Sequence, residues 1–159
     1  MLWDSFMQLD LTVSDIRASI LTNLRNRFAE AGIKQFNSFI ANATEPVPQI
    51  KAGTIDLVIA DVPCSGSGTW SRTPEQLYYF ETGKIQEFQK LQQQIVLQTC
   101  KAVKPGGYYL YITCSVFKDE NETQVELLQQ QGFTLIEQQV FKGYEQQADT
   151  MFAALMKKN

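Results

Sequence analysis

Residues Ile55–Trp70 read IDLVIADVPCSGSGTW. The near-continuous apolar run IDLVIADV (55–62) predicts a β-strand, central and parallel, covered on both faces. Its exit is unusual. Asp61 is followed by Val-Pro-Cys, and Cys64 by alternating Ser and Gly through Gly68. Pro63 stiffens the exit, and Gly66 and Gly68 let backbone come close to a flat ligand. Taken alone, Cys64 reads first as part of a tight turn holding a buried, inert thiol, and the second cysteine, Cys114, turns the reading toward a site.

Toward the C-terminus, SGSGTWSRTPE (65–75) reads as loop and Lys84–Val103 as a long helix ended by KPGG (104–107). Its inward positions are Ile85, Phe88, Leu91 and Ile95, with Val96 or Cys100, which assigns Cys100 to packing. Gln92–Gln94 reads as a solvated helix face. YYLYITCS (108–115) is a strand with Cys114 at its end. DENETQVELLQQQG (119–132) is a helix, with Asp119 and Glu122 as a capping box and Gly132 as its stop. FTLIEQQVF (133–141) and TMFAALMK (150–157), joined by the polar KGYEQQAD, are too close for a crossover helix and predict a hairpin.

Toward the N-terminus, ATEPVPQIKAGT (43–54) is loop and QFNSFIAN (35–42) a strand. Ile16, Ile20, Leu24 and Phe28 recur every four residues, predicting a helix over Ile16–Ala31 stopped by Gly32. LDLTVSD (9–15) is a short strand ending in Asp15. The alternation implies an α/β fold, its sheet mainly parallel with one antiparallel strand near the end. Ligands of such sheets bind at the carboxyl ends of the strands. That edge carries Asp15, Asn42, Asp61 with Cys64, and Cys114. The strands ending at Asp61 and Cys114 are expected to be neighbours, opening both thiols into one cleft.

Composition narrows the chemistry. The 159 residues suit one domain, and 44% apolar with 19% charged residues is ordinary for a soluble globular protein. Three cysteines, far apart, make neither a disulfide scaffold nor a zinc site, and no metal is expected. The absence of histidine removes Ser-His-Asp and Cys-His nucleophile pairs. A reactive thiol would need backbone amides, a helix N-terminus or the substrate to help it. No apolar run approaches the roughly 20 residues of a membrane helix. MLWDSFMQLD lacks the features of a signal peptide, so the expected location is cytoplasmic and no membrane partner is expected. A net charge of −3 argues against tight nucleic-acid binding by this chain alone.

DVPCSGSGT (61–69), RTPE (72–75), KPGGYYLYITCS (104–115) and DENE (119–122) together resemble the RNA 5-methylcytosine methyltransferases. These are the Nop2/Sun (NSUN) enzymes and their bacterial rRNA-modifying relatives, and the resemblance runs from about Leu9 to the C-terminus. It implies a Rossmann-like class I methyltransferase sheet with S-adenosylmethionine as cofactor and RNA, specifically rRNA, as partner. It also implies Cys114 as the nucleophile adding to carbon 6 of cytosine, and Cys64 as the thiol that helps eliminate the enzyme. Asp61 would meet the polar edge of the ring and lie near the cofactor. Asp15 would hold the cofactor's ribose hydroxyls, although as a residue it also fits an N-cap for the helix after it. Asn42 would accept from the adenine amino group, where the family usually places an acid.

The chain departs from the family at its start. SFMQ stands between MLWD, which resembles the start of a first strand, and LDLTVSD, where a Gly-Gly-Lys loop is usual. Much of the first β-α unit, the lysine and an N-terminal RNA-binding portion are expected to be absent. Residues 1–159 then read as a single, incomplete catalytic domain that binds the cofactor more weakly than an intact relative. The alternative is a non-catalytic remnant serving binding or assembly. A methyltransferase acting on DNA or an amino group would not explain the second cysteine.

Overall fold

The computed structural model describes residues 9–159. The MLWD strand start and the SFMQ segment lie outside the described residues. The chain divides at Ala43/Thr44 into two compact units, described here one at a time.

The first unit holds strand β1 (Thr12–Asp15), helix α1 (Ala18–Glu30) and strand β2 (Asn37–Ile40), with β1 and β2 parallel. The helix starts two residues later than its apolar spacing predicts. The reason is local: Asp15 Oδ1 accepts from the Arg17 backbone N–H at 2.7 Å, holding Arg17 extended as the N-cap residue. Ile16 is left outside the helix and 61% exposed, and Leu21, not Ile20, is the buried residue. Gly32 ends the helix as expected. At φ 74° it donates to Ala29 O, while Ile33 N donates to Phe28 O at 2.8 Å, a Schellman cap that buries Ile33.

The second unit is a four-stranded sheet of order β3-β4-β6-β5, formed by β3 (Ile55–Asp61), β4 (Val103–Thr113), β5 (Phe133–Phe141) and β6 (Met151–Lys158). β3 and β4 are parallel, and β6 runs antiparallel to both β4 and β5, closing the expected hairpin. The helices are α2 (Pro74–Tyr78), α3 (Gly83–Thr99) and α4 (Glu122–Gln130). Odd-numbered residues of β4 face inward: Tyr109, Tyr111 and Thr113 have no exposed surface. Tyr109 Oη bonds Thr99 Oγ1 of α3 at 2.7 Å, and Tyr111 Oη donates to Glu120 O at 2.7 Å. Ile95, Val96, Val125 and Leu128 fill the space between these helices and the sheet, and Cys100 is buried with them.

Three local readings need correction. Val103 belongs to the strand and not to the helix before it. It pairs with Ile55, and the chain then loops out over Lys104–Gly107 before the ladder resumes at Leu57↔Tyr108. The strand β3 is an edge of its sheet, and Leu57 and Ile59 are exposed (36% and 47%), so it is not covered on both faces. A run of apolar residues reports hydrophobicity on both faces, not which strands lie beside it. Helix α4 starts at Glu122 with Asn121 as N-cap residue and no side-chain cap. Asp119 instead lies in a short 3-10 turn, Lys118–Glu120, so the capping box does not form.

Gly68 is a tight backbone junction of this unit. Its N–H donates to Cys114 O at 2.8 Å, and its carbonyl accepts from Thr150 N at 2.9 Å. A Cβ there would stand 2.0 Å from Thr150 O and 2.9 Å from Cys114 O. Gly68→Ala should therefore destabilise the chain by about 3 kcal/mol, near the upper end for single substitutions. Gly53→Ala, at φ 69° with nothing within 4 Å, should cost only about 1 kcal/mol. Urea unfolding of the two variants checks this; equal losses would mean that the close approach at Gly68 is not what holds the junction.

Candidate active site

β3 and β4 run in parallel with Asp61 opposite Ile112, and Val62 N adds one more bond, to Ile112 O at 3.2 Å. The two chains leave the sheet together. The turn after β3 brings Cys64 back over the end of β4, and its Sγ lies 3.3 Å from Cys114 Sγ. Both thiols are half-buried and neither is in a disulfide. Gly66, at φ 71°, turns the chain, and Ser67–Thr69 form a 3-10 turn sealed to β4 through Gly68. The glycines thus serve a close approach of backbone to backbone; no open ligand face is needed to explain Gly68.

Behind the thiols is a buried polar cluster centred on Glu120, which has no exposed surface. Its Oε1 accepts from Ser65 N at 2.8 Å and from Gln92 Nε2 at 3.2 Å. Its Oε2 accepts from Ser65 Oγ and Ser115 Oγ, each at 2.5 Å. Gln92 Nε2 also donates to Pro63 O at 2.9 Å. Gln92 is therefore fully buried and not on a solvated face. Asn121 continues the cluster, accepting from Thr113 Oγ1 at 2.5 Å and donating to Ser115 O at 2.9 Å. Sequence reading assigned no role to Glu120 or Gln92. The signal was a glutamine on the apolar stripe of α3, three residues before Ile95.

The electrostatics of the pair are asymmetric. A hydrogen bond from the Cys64 thiol lowers the Cys114 pKa to about 7, against partial desolvation and the nearby carboxylate of Asp61, which raise it. Cys64 moves the other way, holding its proton against the charge that its partner carries. Cys114 is then more readily ionised than an ordinary thiol. The largest help comes from the second cysteine, which was not foreseen, and a backbone amide adds to it as expected. Asp61 is exposed along part of its surface, and crowding on the rest raises its pKa. Burial raises that of Cys100. An open pocket of about 320 Å³ lies nearby, lined by Ser67, Val116, Lys142 and Tyr144 among others, but neither thiol lines it.

Asp15 and Asn42 belong to the first unit. Asp15 is not the N-cap of α1; Arg17 is. Its carboxylate is held by Arg17, with Nε on Oδ1 at 3.1 Å and Nη2 on Oδ2 at 3.2 Å, and this pairing lowers its pKa. Both carboxylate oxygens are thus engaged by Arg17. A carboxylate at the end of β1 is of the chemical type that accepts from hydroxyls such as those of the ribose of S-adenosylmethionine. Asn42 is half-buried two residues past β2. Among the described residues no group of His, Cys, Asp and Glu could hold a metal ion, and no helix is long and apolar enough to cross a membrane.

Comparison with known proteins gives the chain a family. The family described as 16S rRNA methyltransferase RsmB/F matches residues 7–157. Ribosomal RNA small subunit methyltransferase B of Xanthomonas campestris is 31% identical over 95% of this chain, which spans 38% of that protein. The protein of the same description from Erwinia tasmaniensis is 34% identical over 76% of the chain and 27% of its own length. The chain thus spans well under half of these relatives. Among solved structures, PH0851 superposes with a TM-score of 0.86 at 27% identity, over 94% of this chain and 37% of that one. NSun6 from Pyrococcus horikoshii, solved with SFG, gives 0.80 at 21% identity over 94% and 41%, a likeness of fold.

The thiol asymmetry predicts a pH profile. Alkylation of Cys114 by iodoacetamide, followed by peptide mapping, should rise with a midpoint near 7, well below that of Cys64 or Cys100. Cys64→Ala removes the donor and should move the Cys114 midpoint toward the ordinary thiol value of about 8.5. An unmoved midpoint would show that Cys64 does not set it.

Proposed function

Because the chain belongs to the 16S rRNA methyltransferase RsmB/F family, we propose that it methylates carbon 5 of a cytosine in rRNA through a covalent adduct with Cys114. The observation that carries this reading is the 3.3 Å approach of two free thiols at the ends of adjacent parallel strands. S-adenosylmethionine, when bound, supplies an electrophilic methyl group; Asp15 and Asn42 would hold its ribose and adenine. The target base leaves its stack to reach the thiols.

The Cys114 thiolate attacks carbon 6, forming a C–S bond, and the displaced electron pair makes carbon 5 nucleophilic. Asp61, whose burial favours the protonated form, would meet the polar edge of the ring and hydrogen-bond it as charge builds there. Once carbon 5 carries the methyl group, its hydrogen must leave as a proton while the bond from carbon 6 to Cys114 breaks. Cys64 takes that proton. The contact with Cys114 and burial together hold the proton of Cys64 in place. When the Cys114 sulfur is bonded to carbon 6, its negative charge is gone, and Cys64 can pass its own proton to water and, as the thiolate, act as base. The coupling of the thiols thus orders the two halves of the reaction.

The test is a denaturing gel of the chain incubated with small-subunit rRNA and S-adenosylmethionine. Cys114→Ala should form no covalent protein–RNA band and lower turnover by about a thousandfold or more. Cys64→Ala should accumulate the band, because attack proceeds and release does not. A band with Cys114→Ala but none with Cys64→Ala would reverse the two roles. No band with either variant, and no methyl transfer by the unaltered chain, would remove the enzymatic reading.

A further inference from the structure

We infer that Glu120 is the positioning residue of the thiol pair, a buried carboxylate that clamps the two cysteine-bearing turns to each other. The inference deepens the reading above, since it names what holds the proposed nucleophile and base in register. Ser65 follows Cys64 and Ser115 follows Cys114, and the carboxylate of Glu120 takes hydrogen bonds from both. Gln92 ties the same carboxylate to the carbonyl of Pro63, on the other side of Cys64. The next residue, Asn121, holds Thr113 and Ser115, the two neighbours of Cys114. Each cysteine is therefore fixed on both sides by groups that meet at Glu120 and Asn121.

The chemistry of the cluster favours a positioning role over a purely stabilising one. Every hydrogen-bond donor to Glu120 here is neutral: a backbone amide, two hydroxyls and a side-chain amide. A carboxylate taken from water into such a place loses its hydration, and packed apolar residues would stabilise the same junction as well or better. What apolar packing could not supply is direction. The two hydroxyls and the amide converge on two oxygens, which fixes the turns in angle as well as distance. The S–H···S contact it protects is short-ranged, and a displacement of about 1 Å would break it.

The test uses the 159-residue chain and an aryl arsenoxide, which condenses with two adjacent thiols into a cyclic dithioarsonite and releases one water. The unaltered chain should gain the mass of one arsenoxide less one water, bridged at Cys64 and Cys114. Glu120→Ala, shown folded by circular dichroism, should bridge at least tenfold more slowly. Its Cys114 alkylation midpoint should also rise, since the Cys64 donor is no longer held in place. The groups that bear on that midpoint are Cys64, Asp61, Asp149 and Arg72, and only the first should change. Glu120→Gln keeps the shape of the clamp, one oxygen for Ser65 N and Gln92 and an amide for the two hydroxyls, and should restore most of the bridging rate.

A folded Glu120→Ala chain that bridges at the unaltered rate with an unmoved midpoint overturns the inference. Should that variant not fold, Ser65→Ala, which leaves Glu120 in place, should slow bridging severalfold, and an unchanged rate again overturns it. The assay needs neither RNA nor cofactor. A chain that methylates nothing can still show the clamp, and an active enzyme can still lack it.

Discussion

The site depends on one pairing: β3 and β4 lie side by side, parallel, with Asp61 opposite Ile112. Parallel neighbours are about 4.8 Å apart, so two chains that leave such a sheet at the same level deliver their next residues to the same place. An antiparallel pairing would send the two exits to opposite ends. A shift of register by two residues would move one exit about 7 Å from the other, beyond the reach of two thiols. The ladder is extended at Val62 N and then replaced by the bond from Gly68 to Cys114, so backbone contact continues through both turns. Glycine at 68 follows from that continuity, because Thr150 closes in from the other side.

Much of this was legible in the sequence because it is written in periodicities and punctuation. The alternation of elements, the stop at Gly32, the closing hairpin and the placement of Cys64 and Cys114 past adjacent strands all follow from local patterns. The misreadings share a cause as well. Gln92 looks like one glutamine of three, yet it is buried because its amide finds Pro63 and Glu120, from distant parts of the chain. Asp119 and Glu122 have the spacing of a capping box, but Glu120 and Asn121 between them are committed to the cysteine turns, and the helix can only begin after them. The start of α1 was shifted by the bond from Arg17 to Asp15. In each case a side chain chose a partner that sequence spacing does not encode.

The edge position of β3 is a different kind of miss. Its residues are apolar on both faces, which is the composition of a strand covered on both sides, yet Leu57 and Ile59 are open. Composition states what a strand could bury. Which strands and helices are present to bury it is a property of the whole chain, and relatives are more than twice as long as this one.

The lack of histidine sets the character of the centre. In a Cys-His pair the imidazole takes the thiol's proton and carries a positive charge beside the thiolate. Here the partner is another thiol, which can donate a hydrogen bond but brings no positive charge. The stabilisation of Cys114 therefore rests on the geometry of one short contact, and it is opposed by Asp61 and Asp149. That makes the arrangement more demanding of its scaffold than an ion pair, because Coulomb attraction decays slowly with distance while a hydrogen bond fails within about 1 Å. A site built this way has reason to carry a directional polar cluster behind its cysteines, and Glu120, Gln92 and Asn121 occupy that position.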